Sequence, residues 1–317
     1  MRQLAEIARR VQENVGRVLI GREKAVELAL TALACEGHLL IEDVPGVGKT
    51  MLARSLAVTL GLACKRVQFT PDLLPSDLTG VSVFNQKTGD FEFRPGPVFT
   101  NILLADEINR ATPRTQAALL ECMEERQVSA DGSPHPVPRP FLVMATQNPV
   151  EYEGTFPLPE AQLDRFLLRI GLGYPDVAEQ VALFERLRRE HPIDALAPVL
   201  GPPDLAALRE MVKEVRVEAS LRRYLADLVE ATRRHEDVTL GASPRAAVAL
   251  FKAAQALAGL RGRDYVTPED LKELAVPVLA HRLALKPESL MRGLTACNVV
   301  EQVLGRVPVP TEEILHV

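Results

Sequence analysis

The stretch LLIEDVPGVGKTMLARSL, Leu39 to Leu56, constrains the fold more than any other part of the chain. A short apolar run leads into a Gly/Pro bend and then into helical periodicity. That order describes a buried strand handing over to a helix through a tight turn. Such a turn aims backbone N–H groups and a helix N-terminus at one point, which favours an anion. The string almost matches the phosphate-cradling pattern G-x-x-x-x-G-K-[ST]. Gly48, Lys49 and Thr50 are in register, but Asp43 stands at the first glycine position. Pro45-Gly46 can serve the exit turn instead, so the pattern survives the change. Lys49 would meet the terminal phosphates as a point charge, and the Thr50 hydroxyl can ligate Mg²⁺. The loop candidates are therefore Pro45, Gly46, Val47, Gly48, Lys49, Thr50 and Met51. Taken alone, the string also fits an ordinary strand–turn–helix connection.

The rest of the chain weighs on that choice. NILLADE (101–107) is an apolar strand ending in Asp106 and Glu107, at the carboxyl rim where open α/β sheets bind ligands. Asp106 can hold Mg²⁺ through water and Glu107 can polarise an attacking water; solvated strand-end acids are the plainer reading. Asn148 follows the strand PFLVMATQN (140–148) and can orient water or contact a γ-phosphate, although Asn-Pro is also a turn signal. Arg165 in LPEAQLDRF is either an arginine offered to a neighbouring subunit's nucleotide or a surface residue paired with Asp164 or Glu160. Arg245 in GASPRA opens a helix and can reach back toward a γ-phosphate, or it is simply solvated.

Between these motifs, helices alternate with apolar strands at 38–42, 65–69, 101–107, 140–148 and 166–170, the pattern of a parallel sheet covered by helices. Thr112-Pro113 starts a helix that runs to about Glu125. Two interruptions read as hairpins, at 81–96 around Lys87-Thr88-Gly89 and at 126–140 around Asp131-Gly132. After Gly173-Tyr174-Pro175 the pattern becomes amphipathic helix without a clear strand, and 191–203 reads as a loop. The expected domains are an α/β core over 1–175 and an all-helical domain over 176–317. The stretch from about 290 carries no assignment.

Composition narrows the class. With 317 residues and 47% apolar side chains, two packed cores are possible. There is no uncharged apolar run long enough to span a membrane, and the charged start MRQLAEIARRVQENVG lacks the apolar stretch of a leader, so the expected location is cytoplasmic. Lys and Arg total 37 against 42 acids, net −5, which argues against whole-surface nucleic-acid binding. Cys35, Cys64, Cys122 and Cys297 have no C-x-x-C spacing and read as buried free thiols.

The phosphate loop, Asp-Glu strand, strand-end Asn, LDRF arginine and helical Pro-Arg, in this order, resemble the AAA+ ATPases. The two hairpins resemble its helix-2-insert branch. The strings DLLPSDLTGVSVFNQKTGDFEFRPGPVF, LLADEINRATPRTQAALLECMEERQV and ATQNPVEYEGTFPLPEAQLDRFLLRI resemble the MoxR family, over about residues 10–290. The resemblance implies a five-stranded P-loop core with a smaller all-α lid, and ATP with Mg²⁺ at the interfaces of a ring, usually a hexamer. It implies Arg165 as a finger acting on the neighbour, Arg245 as a lid sensor, and Ile20 and Gly21 in the adenine-contacting segment. It also implies a separate partner carrying a von Willebrand factor A domain and a role in remodelling or maturing client proteins. Two other functions remain in view: a nucleic-acid motor, disfavoured because neither hairpin is a concentrated basic strip, and a nucleotide-gated scaffold with little turnover. A small-molecule kinase would leave Arg165 and Arg245 without a purpose.

Overall fold

The computed structural model describes residues 1–130, 132–149, 154–187 and 192–310. Asp131 of the second hairpin turn, Val150 to Glu153 of the ATQNPVEYEGTF string, His191 and the end from Thr311 lie outside the described residues.

The first helix, α1 (Arg2–Gly16), was hidden in the sequence by its charges. Leu4, Ile7, Ala8, Val11 and Val15 form a buried stripe at helical spacing. Arg9 bridges Glu6 and Glu13 on the outer face. α2 (Glu23–Ala34) packs beside it and leads to β1 (Leu39–Glu42). α3 (Lys49–Thr59), β2 (Cys64–Gln68) and α4 (Pro75–Thr79) follow. β3 (Gly80–Asn85) and β4 (Asp90–Pro95) pair antiparallel, Phe84 opposite Phe91. Next come β5 (Ile102–Asp106), α5 (Pro113–Glu125), and the antiparallel pair β6 (Gln127–Ala130) and β7 (Ser133–Pro136). β8 (Leu142–Gln147), the single turn α6 (Glu160–Leu163) and β9 (Leu168–Ile170) complete this half.

The central sheet is five-stranded and parallel, in the order β2-β5-β8-β1-β9. Period-two side-chain alternation sorts its residues onto two faces. Leu39, Ile41, Ile102, Leu104, Leu142 and Met144 join the larger core with α1, α2, α3 and the later helices. Leu40, Leu103, Ala105, Val143 and Ala145 join the smaller core under α5, with Phe69, Phe141 and Phe166. Burial on both faces explains why the inner strands read as unbroken apolar runs. β2 lies at the edge and carries exposed Lys65, Arg66 and Gln68, charges that discourage pairing with a stranger strand. Phe93 of β4 stacks on His135 of β7, rings 4.1 Å apart, so the two hairpins touch.

Beyond β9 the described residues are mainly helical: α7 (Val177–Leu187), α8 (Pro202–Lys213) and α9 (Ala219–Arg233). The 191–203 loop holds a short 3₁₀ turn at Pro192–Ala195. A brief strand β10 (Val238–Leu240) precedes α10 (Pro244–Leu260) and α11 (Pro268–Leu279). β11 (Ala284–Leu285) pairs antiparallel with β10. This ribbon was not expected; three and two residues are too few to show alternation. α12 (Pro287–Met291) and α13 (Ala296–Arg306) follow, and α13 packs on α9 and α11, giving most of the unassigned stretch a structure. α10 is the spine of this half. Its alanines at 246, 249, 253, 254, 256 and 258 are buried and let α1, α2, α8, α9 and α11 approach closely. Of the four cysteines, Cys122 is buried and the other three are partly buried; all are free thiols.

Candidate functional site

At the carboxyl rim the chain leaves β1 at Glu42 and returns as α3 at Lys49. Gly46 (φ +85°) and Gly48 (φ +102°) take left-handed conformations that strain any L side chain. Lys49 Nζ donates to the carbonyls of Asp43 and, at 3.3 Å, Gln147, so it lies across the loop between β1 and β8. Asp43 explains the broken pattern. Its Oδ1 accepts from Val44 N at 2.9 Å, and its Oδ2 accepts from Leu172 N at 2.6 Å and Gly173 N at 2.7 Å. The side chain fastens the loop to the segment leaving β9, a job glycine has no group to do.

Beside the loop lies a cavity of about 260 Å³ lined by Ile20, Gly46, Val47, Gly48 and Met51, with Pro175 and Leu183 across from them. Gly21 lies between the lining residues Ile20 and Arg22 at φ +67°, a left-handed conformation that disfavours a side chain, and a Cβ there would displace the Glu179 carboxylate. Arg22 pairs with the same Glu179 at 3.2 Å. The apolar walls beside an anion-favouring loop suit a flat base next to its phosphates.

Asp106 ends β5. Its Oδ1 accepts from Thr146 Oγ1 at 2.6 Å and its Oδ2 from Arg66 at 2.7 and 3.1 Å. Glu107 follows at φ +56°, a conformation that costs free energy for a non-glycine residue. Its backbone N–H donates to Thr146 Oγ1 at 2.9 Å, and its carboxylate accepts from Gln68 at 2.6 Å and Arg110 at 3.0 Å. Asn148 sits just past β8, 8% exposed. Thr146, Arg66, Gln68 and Arg110 were not singled out from the sequence. The available signal for Arg66 and Gln68 was the alternation in KRVQF, which sends both to one face of β2.

Arg165 and Arg245 lie elsewhere. His38 just precedes β1, and its carbonyl accepts from Leu167 N at 2.8 Å. The turn carrying Arg165 is therefore at the amino rim, opposite Gly46–Thr50. Glu124, on the last turn of α5, meets both arginines there: Arg165 Nε is 3.2 Å from Oε2, and Arg245 bonds Oε1. Arg165 thus has a different partner from the Asp164 or Glu160 anticipated. Here the start of α10 packs at the amino rim, so Arg245 lies beside Glu124 and away from its own chain's phosphate loop. A cavity of about 350 Å³ opens here, lined by Glu124, Arg126, Arg165, Arg245 and Lys252 among others. His38 braces its floor, sharing a hydrogen-bond contact with Met123 O at 3.1 Å and accepting from Val143 N at 3.0 Å. That pairing requires the neutral ring, and burial, helped by nearby Arg126, pushes the His38 pKa down to about 3.

The chain is similar to known proteins in sequence and fold. Residues 38–168 match the family model described as the ATPase family associated with various cellular activities (AAA), and residues 230–303 match an AAA lid domain. The chain is 51% identical over 300 residues to an uncharacterised protein, YeaC, of Bacillus subtilis, covering 95% of this chain and 94% of that one. It is 43% identical to the chaperone MoxR1 of Mycobacterium tuberculosis (94% and 81%) and 32% identical to the protein MoxR of Methylorubrum extorquens (96% of each). A crystal structure of a candidate ATPase from Cytophaga hutchinsonii superposes with a TM-score of 0.90 at 39% identity, covering 98% of each chain. With its five-stranded parallel core, its helical lid and these relatives, the chain belongs to the MoxR family of AAA ATPases, nucleotide-binding enzymes that hydrolyse ATP.

Proposed function

We propose that this ATPase works as a ring, hexameric as in its wider class, in which two protomers complete each nucleotide site. One observation carries the reading: Arg165 and Arg245 converge on Glu124 at the rim opposite their own phosphate loop. Two guanidiniums aimed at one carboxylate are built for an anion, and from that rim the nearest triphosphate belongs to another copy. Pro45 to Met51 hold the phosphates, with Lys49 moving from the Asp43 and Gln147 carbonyls onto them, and Ile20 and Gly21 border the base. Glu107 takes the proton of the attacking water and Asn148 orients that water. The neighbour's Arg165 and Arg245 neutralise the charge that develops on the γ-phosphate.

The residues present fit Mg²⁺. Thr50 and Asp106 offer hard oxygen ligands, and Asp106 Oδ1 is oriented by Thr146 while Arg66, half exposed, can leave Oδ2. When bound, the ion would supply charge neutralisation at the β and γ oxygens. Among the described residues no group of three or more His, Cys, Asp or Glu could hold a metal, which suits an ion shared with phosphate rather than caged by protein.

The core would comprise residues 1–175, with its hairpins near 81–96 and 126–140, and the lid residues 176–317. Loss of γ-phosphate would move the lid, and the hairpins would pass that movement to a client protein. The chaperone name of the M. tuberculosis relative supports a remodelling or maturation role, assisted by a separate protein with a von Willebrand factor A domain. Phe84 and Phe91 are 51% and 72% exposed on the first hairpin, an apolar surface better suited to protein than to a phosphate backbone. No described helix is long and apolar enough to cross a membrane, and a cytoplasmic location agrees with that.

Two inactive variants test the reading. Arg165→Ala keeps a complete phosphate loop and Glu107→Gln keeps both arginines, so mixing them recreates some complete sites. Recovered turnover in the mixture is the expected result; a mixture as inactive as its parts refutes shared sites.

A further inference from the structure

Arg165 and Arg245 stand 80 positions apart in sequence and on separate units, the α6 turn and the start of α10. Both side chains are long and partly exposed, 31% and 48%, so their own contacts with Glu124 are weakly held. Their backbones are joined by a different set of residues. Asp164 immediately precedes Arg165. Ser243 lies two residues before Arg245, caps α10 by accepting from Ala246 N at 3.1 Å, and places its hydroxyl 3.1 and 3.2 Å from the two Asp164 oxygens.

Arg282 closes the joint from beneath. Its side chain is 2% exposed. Nε donates to Asp164 Oδ1 at 2.7 Å, and the terminal nitrogens reach the carbonyls of Asp164 at 3.2 Å, Phe166 at 2.5 Å, Leu167 at 3.2 Å and Val278. His281 Nε2 adds a contact to Phe166 O at 3.1 Å. Burial disfavours the Arg282 charge, and Asp164 is the carboxylate that offsets it. A buried ion pair with its remaining donors satisfied is costly to break, which makes it a stiff joint.

We infer that Asp164, held by Arg282 and Ser243, is a positioning residue that fixes Arg165 and Arg245 as one two-armed clamp on a single phosphate. The inference rests on the reading that both arginines serve the neighbouring protomer's nucleotide. Asp164 touches neither substrate nor reacting atoms. It acts by setting where two guanidiniums sit, and a misplacement of about 1 Å can lower turnover about 100-fold.

Ser243→Ala, Ser243→Thr and Asp164→Asn test it in the full-length chain, each alone and each mixed with Glu107→Gln, with Arg165→Ala in parallel. Ser243→Ala and Asp164→Asn should lower kcat about 10- to 100-fold while KM for ATP stays within about twofold, since their own loops are intact. Ser243→Thr, which keeps the hydroxyl, should recover most of the loss. Mixing with Glu107→Gln should restore turnover to both, as is expected for Arg165→Ala. If Asp164→Asn fails to fold, Ser243→Ala decides alone: an unchanged kcat overturns the inference. If Arg165→Ala is rescued by mixing and the folded Ser243→Ala chain is not, the clamp is wrong while shared sites stand. If neither is rescued, shared sites fail and the clamp fails with them.

Discussion

The two rims of the sheet are built by opposite strategies. At the carboxyl rim, each strand supplies its own chemistry at its end: Gly46–Thr50 after β1, Asp106-Glu107 at β5, Asn148 after β8. Backbone geometry does most of the work, through left-handed glycines and a strained Glu107. At the amino rim, the polar groups come from a helix end, a turn and the helical half, and they meet only through tertiary packing. In the proposed ring, one rim would hold the nucleotide and the other would complete the site of a neighbouring copy.

That contrast sets the ranking of expected effects. A carboxyl-rim change should disable the chain that carries it. Glu107→Gln should reduce hydrolysis about 10³-fold, within the range for losing a general base, while ATP still binds. Comparing ATP affinity with single-turnover rate checks this; turnover near the parental rate would remove Glu107 from the base role. An amino-rim change should disable the neighbour instead. Arg165→Ala and Arg245→Ala should each lower kcat about 10²- to 10³-fold, the cost of losing one aligned charge donor. Neither should alter ATP affinity measured on dilute, unassembled chains. A loss of monomer affinity in Arg245→Ala would return that arginine to its own chain's phosphates.

Smaller effects probe what braces the amino rim. His38 and His281 are buried and neutral, their pKa values pushed down chiefly by desolvation, His38 to about 3. The unfolded chain therefore takes up those protons first, near the ordinary 6.5. Stability from these groups is complete above about pH 6.5 and declines as pH falls below it, for His38 by about 1.4 kcal/mol per pH unit down to about pH 3. Melting temperatures at pH 7, 6 and 5 should decline steadily; equal values would mean that the rings are not held neutral. Smallest is Glu124→Gln. Its carboxylate is 43% exposed, so removing its charge should change stability by less than about 1 kcal/mol. It should also let specific activity reach its plateau at lower protein concentration, because the arginines no longer have an internal anion to leave.

How much of this was legible in the sequence follows the same division. The strand order of chemistry along the carboxyl rim is local, since a strand, its bend and the next helix are contiguous letters. Asp43 was visible as a departure but not as a device, because its acceptor role depends on Leu172 and Gly173, well over 100 residues away. Arg165 and Arg245 were legible as residue types in motifs. Their convergence on Glu124 was not, since no local pattern says which rim α10 packs against. The helix α1 escaped notice for a simpler reason: its apolar stripe is diluted by the charges of its outer face. The β10–β11 ribbon is too short for periodicity to register.

The most direct test of shared sites is specific ATPase activity against protein concentration, with association followed by sedimentation on the same samples. The account predicts that activity per chain falls toward zero as the protein is diluted below its association range, while each dilute chain still binds ATP. Constant activity per chain down to concentrations where only monomers sediment would contradict it.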